Sequence, residues 1–378
     1  GGGAGDDAFN VVVRKRGDVV ETFENLTSKK GKQNVATVVN ERSKLITVEE
    51  VAKGAAVVAP AHGTQTLAGG TTAAPAVVAS DDYVGSAADR TGFAGLETVD
   101  EVTMLCVPDL MAAHQQGAID LEGVKAVQLA MIAHCELMGD RVAILDPPPD
   151  MNAQDVKDWR MEKAGYDSNY ATLYWPWIKV ARPDNGATQF IPPSGYVAGV
   201  WGRSDDTRGV HKAPANEVVR GAIDLQTNIT KVEQDLLNPE GINCLRSFSG
   251  RGIRIWGART LASDSAWRYI NVRRLFNYLE ESILEGTDWA VFEPNDYELW
   301  AKMRRSIGAF LTNEWRKGAL FGLNPDQAFY VKCDEETNPP DVVDAGQVIC
   351  EIGVAPVKPA EFVVFRLSQF SGGAAINE

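Results

Sequence analysis

Residues 243–261 read NCLRSFSGRGIRIWGARTL, and the reading of this stretch decides the fold. Gly250 and Gly252 stand two apart among basic residues, as they would in a loop that grips phosphate. A dinucleotide fingerprint needs a third glycine three residues after the second, and its loop must leave a strand and open a helix. Here the next glycine is Gly257, and Ile253, Ile255 and Trp256 give the intervening residues the composition of a strand. No G-x-x-x-x-G-K-[ST] run occurs in the chain. The glycine pair reads as a structural turn feeding a strand, and no cofactor-binding residue is assigned.

Upstream of this stretch, strand and helix alternate. VTMLCVP (102–108) is an apolar run ended by proline. In the following helix Val124, Val127, Met131, Cys135 and Met138 share one face, and Gly139 suits its stop. RVAILDPPPD is a second buried strand, NAQDVKDWRMEKAG a polar helix closed by Gly165, and ATLYWPWIKV a third strand. This β-α-β-α-β order predicts a parallel sheet with right-handed crossovers. Downstream, GIRIWGARTL is read as a strand and Ser263 as the cap of a helix striped with Val272, Leu275, Phe276, Leu279 and Ile283. WAVFEP is read as a short strand. A second helix opens at Asn295 and Glu298, closes at Gly318, and buries Leu299, Met303, Ile307, Phe310 and Leu311. AFYVKCD, QVICEIGVAP and AEFVVFRL supply three more strands, before a polar tail.

The first 60 residues read as β-rich, with a turn at Gly17-Asp18 and a second strand pair in VATVVNERSKLITVEEV, around Asn40 to Ser43. Residues 61–92 hold Gly, Ala, Thr and Ser with few large side chains, and predict an exposed loop or linker. The fold class is therefore α/β and α+β, in several modules: a β-rich outer module (1–60), the linker (61–92), an α/β core (93–242), an α+β C-terminal module (243–355) and a C-terminal arm (356–378). With 378 residues, the chain is long enough for two or three domains.

The chemistry of the chain is sparse. A formal net charge of −14 argues against a partner bound by phosphate neutralisation, so no nucleic acid is expected. No apolar run reaches the ~20 residues of a membrane span, and no signal-peptide pattern opens the chain. The five cysteines (Cys106, Cys135, Cys244, Cys333, Cys350) lack C-x-x-C spacing and read as reduced core thiols of a cytosolic protein. The four histidines (His62, His114, His134, His211) form no H-E-x-x-H pair, and His134 lies near an apolar helix face as a packed residue. KCDEETNPPD lacks the ligand pattern of a calcium loop. No G-x-S-x-G is present. Neither a catalytic nor a metal site is assigned. Asp146 ends a parallel strand, the place where α/β enzymes set an acid, so an enzyme with its site near Pro108 and Asp146 is the alternative reading.

Two features point to assembly. At 100° per residue Lys302, Arg305 and Arg316 fall within roughly 60° of one another, opposite the apolar stripe; Glu298 shares their face. They suit either an ordinary solvated surface or a docking surface for an acidic partner. The other feature is AEFVVFRL, a terminal strand behind a proline-rich connector. Glu361, Phe362, Val363, Val364, Phe365, Arg366 and Leu367 are the residues that could add to another subunit's sheet edge.

Long stretches carry a resemblance: YATLYWPWIKV, IPPSGYVAGVWGRSDDTRGVHKAPAN, INCLRSFSGRGIRIWGARTL, WRYINVRRLFNYLEESI, WAVFEPND, GALFG, AFYVKCDEETN and EIGVAPVKPAEFVVFRL. Over roughly residues 95–370 the chain resembles the sheath protein of contractile tails, found in phage tails, R-type bacteriocins and contractile injection systems. VVETFENLT with VVNERSKLITV extends the likeness, more weakly, to the start. The extended arm and first part of the conserved domain that open such proteins are missing, so the sequence is expected to be part of a longer chain. The resemblance implies a mechanical role without catalysis or cofactor. Subunits polymerise with themselves in stacked hexameric rings around an inner tube protein, contact baseplate and tail terminator proteins, and assemble in the cytoplasm without a signal peptide. It places the C-terminal domain, with Lys302, Arg305 and Arg316, toward the tube, and gives the terminal strand the role of linking neighbours. A capsid-like or adhesin-like surface protein is a further reading, made less attractive by the cysteine pattern.

Overall fold

The computed structural model describes residues 8–15, 18–49, 61–67, 77–183 and 186–363. Two compact units divide the chain, Gly1–Ala73 and Ala74–Glu378.

In the first unit β1 (Phe9–Lys15) and β2 (Asp18–Leu26) pair antiparallel. The strand pair expected around Asn40 to Ser43 is instead a helix, α1 (Val35–Arg42). Its β-branched valines favour a strand locally, but Asn34 Oδ1 accepts from the N–H groups of Ala36 and Thr37 at 3.1 and 3.2 Å and caps a first turn. Val38 and Val39 are then buried in one cluster with Phe23 and Leu26. Tertiary burial overrides propensity here.

Part of the expected 61–92 loop, residues 68–76, lies outside the described residues. Farther along, α2 (Ser80–Val84) forms, and Tyr83 and Val84 pack on the central core, so this segment is not all exposed linker. The alternation expected next is present: β3 (Met104–Leu105), α3 (Asp109–Gln115), α4 (Leu121–Met138), β4 (Val142–Leu145), α5 (Ala153–Asp158) and β5 (Ala171–Trp175). α5 continues as a π-helical turn over Trp159–Ala164. The third strand breaks at Pro176, which has no N–H for the ladder. Beyond it, β6 (Ile178–Ala181) joins a separate antiparallel sheet with β7 (Thr188–Ile191) and β8 (Asp224–Leu225). α6 (Ser194–Arg208) lies between β7 and β8, and α7 (Lys231–Leu237) follows β8.

β9 (Ile242–Phe248) pairs parallel with β5, and β10 (Gly252–Ile255) folds back on β9. The central sheet order is β10-β9-β5-β4-β3. Its strands alternate faces as the pleat requires. Ala143, Leu145, Leu173 and Trp175 meet Val124, Val127 and Met131 of α4 on one side. Val142, Ile144, Tyr174 and Leu245 meet Val197, Val200 and Trp201 of α6 on the other. Covering both faces is what a parallel sheet demands. The expected boundary at 242/243 is thus displaced: β9 and β10 belong to the central sheet. Gly250 and Gly252 both sit at φ +73°, and Arg251 N–H donates to Phe248 O at 3.0 Å, so the glycine pair is the β9–β10 hairpin turn.

α8 (Ile270–Gly286) begins the C-terminal lobe. The expected Ser263 cap is not used; Tyr269 precedes the helix, and Asp264 caps a short 3-10 turn, Ser265–Trp267. WAVFEP is a 3-10 turn (Asp288–Ala290) with Val291 and Phe292 exposed, not a strand. α9 (Tyr297–Arg316) is capped by Asp296, one residue after the expected Asn295. α10 (Pro325–Ala328), β11 (Phe329–Lys332), α11 (Pro340–Asp344) and β12 (Glu351–Val354) complete the lobe, with β11 and β12 antiparallel. Leu275 and Leu279 of α8 pack with Ile307 and Leu311 of α9 beneath this pair. Among the described residues no helix is long and apolar enough to cross a membrane.

Gly257 stands close against Asn243 of β9. A Cβ there would lie 2.8 Å from Asn243 Oδ1 and 2.9 Å from Asn243 Cα. Gly257→Ala is expected to destabilise the chain by about 1–3 kcal/mol, read as a lower urea midpoint at unchanged m-value.

Candidate functional site

The site of interest is where the C-terminal chain leaves its own body. α8 prepares it. Ile270, in its first turn, is buried in the central core, whereas Leu275 and Leu279 are buried in the C-terminal lobe. Arg274 fixes the junction: its Nη1 and Nη2 donate to Asp205 Oδ1 and Oδ2 of α6 at 3.0 and 2.6 Å, and its guanidinium lies 4.7 Å from the Trp201 ring centroid. Arg273 stacks over Trp267 at 4.3 Å and Tyr170 at 4.6 Å while Nε donates to Asn277 Oδ1 at 2.7 Å. These planar, bidentate contacts suit arginine and would be lost with lysine.

The chain after β12 is then fastened in steps. Phe321 N–H donates to Ala355 O at 2.7 Å and Val357 N–H to Ala319 O at 3.3 Å. Asn271 Nδ2 donates to Val357 O at 3.0 Å and to His211 O at 2.8 Å, tying the arm to the central body. Glu361 is the last strong anchor among the described residues. Arg259 Nε donates to Oε1 at 2.9 Å and Nη2 to Oε2 at 2.6 Å; Asn238 Nδ2 donates to Oε1 at 2.6 Å and the Tyr269 hydroxyl to Oε2 at 3.3 Å. Asn243 holds Arg259 in place by accepting from its N–H and donating to its carbonyl, both at 2.8 Å. Burial opposes a charge on Glu361, but the hydrogen bonds from Arg259 and Asn238 outweigh it, and the carboxyl lies below its ordinary range. The clamp is therefore complete at neutral pH and is lost as pH falls through that depressed value. Beside it opens a cavity of about 920 Å³, lined by Arg208, Lys212, Arg246, Trp256 and the arm itself.

Of the strand candidates, Glu361 is clamped, Phe362 and Val363 are exposed, and none of the three pairs in a sheet. Val364, Phe365, Arg366 and Leu367 lie outside the described residues. Lys302, Arg305 and Arg316 are all exposed on α9, with Leu299, Met303, Ile307 and Leu311 buried behind them. Lys302 Nζ stands 4.0 Å from the Trp289 ring centroid. Sequence reasoning missed Arg259, Asn238 and Tyr269, which no local pattern connects to Glu361. It also missed Phe292, Phe321 and Leu323, apolar side chains left in solvent on the C-terminal lobe.

At the strand ends near Pro108 and Asp146, polar groups tie elements of the fold together. Asp146 is buried; its Oδ1 accepts from the Ser194 N–H at 2.9 Å, and its carbonyl accepts from Gln128 Nε2 at 2.7 Å. Gln128 Oε1 in turn accepts from the Tyr166 hydroxyl at 2.6 Å. The carboxyl ties the end of β4 to the start of α6. The crevice at Pro108, lined by Asp109, Tyr196, Arg203 and Arg220, does not include Asp146. His134 packs edge-on to Phe93 with ring centroids 5.8 Å apart and lies 3.4 Å from Arg141 Nη1. No cluster of three or more His, Cys, Asp or Glu able to hold a metal occurs among the described residues.

Burial pushes the Asp146 carboxyl up to about 7 against the Ser194 hydrogen bonds. A carboxyl raised in the folded state contributes stability that is complete below its unfolded pKa near 4 and is lost as pH rises toward 7. Asp146→Asn keeps the acceptor and removes the titration. Relative to the parent chain it is expected to gain about 2–4 kcal/mol between pH 4 and pH 8, measured as the difference in Tm–pH profiles.

Two family models match the chain in succession. The family model of the phage tail sheath protein central domain matches residues 76–261, and that of the phage tail sheath C-terminal domain matches residues 262–370. The tail sheath protein of Vibrio phage KVP40 is 28% identical over 250 residues, covering 65% of this chain and 35% of its own length. The chain thus spans about a third of that relative. Among solved structures, the sheath complex of an extracellular contractile injection system (PVC) in its contracted state is 32% identical, with TM-score 0.64 over 74% of this chain and 75% of that one. The contracted helical sheath of the anti-feeding prophage is 33% identical, with TM-score 0.62 over 72% of each chain.

Proposed function

The chain belongs to the phage tail sheath family, and on that premise we propose that it is a structural subunit of a contractile sheath, which polymerises around an inner tube and contracts to drive the tube through a target envelope. The observation that carries this reading is the exit of the chain: a sequence of anchors from Ala355 to Glu361, followed by Phe362 and Val363 standing in solvent. An anchored exit lets a terminal strand bear load without unfolding the body behind it. Residues 361–367 then add to the sheet edge of a neighbouring copy through main-chain hydrogen bonds.

The C-terminal lobe faces the tube. Lys302, Arg305 and Arg316 present cations to an acidic tube surface in the extended form. Exposed pairs are worth about 0–1 kcal/mol each, which suits contacts that must release together. Contraction exchanges one set of subunit contacts for another while each packed body turns as a unit. The free energy per subunit is the difference between the two sets, and it sums along the tube. Baseplate, terminator and tube proteins are the partners. Phe292, Phe321 and Leu323, exposed on the isolated subunit, fit burial in such a lattice.

Two experiments test this reading. Glu361→Gln weakens the anchor by about 1–3 kcal/mol and is expected to shorten or deplete sheaths in negative-stain images while far-UV circular dichroism stays unchanged. Sheaths of parent length and number would contradict the anchor's role. Reversing Lys302, Arg305 and Arg316 together to Glu is expected to lower the yield of extended particles; an unchanged yield counts against the tube contact.

A further inference from the structure

We propose that Cys333 and Cys350 form a dithiol that closes into a cross-strand disulfide when a small-molecule disulfide reaches Cys350. The β11–β12 register carries the inference. Lys332 lies opposite Glu351, so the next position of the same ladder sets Cys333 directly opposite Cys350. The hydrogen-bond phase decides the geometry. Ala355 N–H donates to Ala328 O at 2.8 Å, which marks that pair as hydrogen-bonded. Counting on in alternation, Cys333 and Cys350 fall at a non-hydrogen-bonded pair. At such pairs the Cα atoms lie about 4.5 Å apart, inside the range of about 4.4–6.8 Å that a disulfide spans.

The far side of the pair confirms the phase. Asp334 and Ile349 would be the next hydrogen-bonded partners, and Asn338 takes the place of Asp334: its Oδ1 accepts from Ile349 N–H at 2.7 Å and its Nδ2 donates to Ile349 O at 3.0 Å. The same Nδ2 lies 3.7 Å from Cys333 Sγ. Both cysteines pack in one cluster with Leu299, Trp300 and Met303 of α9. Cys333 is fully buried and Cys350 is half-buried, so Cys350 is the thiol a reagent meets first.

The exchange balances without any further reactant. The Cys350 thiolate attacks one sulfur of oxidised glutathione, breaks its S–S bond and releases one glutathione thiolate. The Cys333 thiolate then attacks Cys350 Sγ of the mixed disulfide and releases the second. Two protein thiols are oxidised, one disulfide is reduced to two thiols, and two protons pass to solvent or to the leaving thiolates. Burial, with Cys333 adding to it, pushes the Cys350 thiol up to about 12. Thiolate is scarce at pH 7, and the rate climbs about tenfold per pH unit below that value. The bond would join the two strands on which α9 rests and close residues 334–349 into a loop. Arg304 of α9 donates to the Cys333 carbonyl, so the cross-link sits against the helix that carries the basic face.

The test is oxidation of the purified chain by glutathione disulfide at pH 8.5, followed by acid quench, alkylation and peptide mapping. The expected result is loss of two alkylatable thiols out of five, a linked pair of peptides holding Cys333 and Cys350, and a Tm raised by a few degrees that dithiothreitol reverses. Cys333→Ser is expected to stop at a glutathione adduct on Cys350, and Cys350→Ser to leave Cys333 free. The reduced parent chain supplies the same readout should either variant fold poorly. Retention of all five thiols, a stable adduct on Cys350 of the parent chain, or a link between other cysteines would each overturn the proposal.

Discussion

The junction of Arg274 with Asp205 and Trp201 is the constraint on which the C-terminal half depends. It is one bidentate ion pair stacked on one indole, nearly out of solvent, and it joins α8 to α6. Because α8 begins in the central core and ends in the C-terminal lobe, this contact makes two hydrophobic cores turn together. Removing one partner of such a pair would leave a buried charge alone, which costs far more than the pair itself contributes. The C-terminal lobe is therefore joined to the central body by a bidentate side-chain contact as well as by the helix that runs through both cores.

The arm itself is a second constraint in series. Ala355 and Val357 belong to the C-terminal lobe by their backbone hydrogen bonds, while Asn271 and Arg259 attach Val357 and Glu361 to the central body. The proline-rich connector ahead of the terminal strand is held at Ala355 and Val357. In this conformation any pivot lies after Glu361. The clamp is charge-assisted and only partly shielded, so it holds at neutral pH and weakens as the Glu361 carboxyl is protonated.

Much of the fold was legible because its signals are local. The runs VTMLC, VAIL and ATLYW are apolar on both faces and separated by helical periods, which is the mark of a covered parallel sheet. The same logic failed where burial decides against composition. VATVV became a helix because Val38 and Val39 met Phe23 and Leu26, and WAVFEP stayed out of any sheet with Phe292 wholly exposed. The cap of α9 moved by one residue, from Asn295 to Asp296, a shift that propensity does not resolve, and α8 starts after Tyr269 with no side-chain cap at all. Of the site, the exposed cations of α9 followed from angle alone. The Glu361 clamp did not, because Arg259 and Asn238 stand 102 and 123 residues away in sequence. Nor did the cysteine pair, which only strand register brings face to face.

The central claim is that folded bodies persist while the contacts of the chain end change hands. Reconstructing particles assembled from this protein in both long and short forms tests it most directly. Residues 77–361 are expected to superpose between the two forms with the Arg274–Asp205 pair intact, and the chain beyond Glu361 to cross to an adjacent copy. A central sheet that rearranges between the forms, or a terminal strand that returns to its own subunit in both, would contradict it.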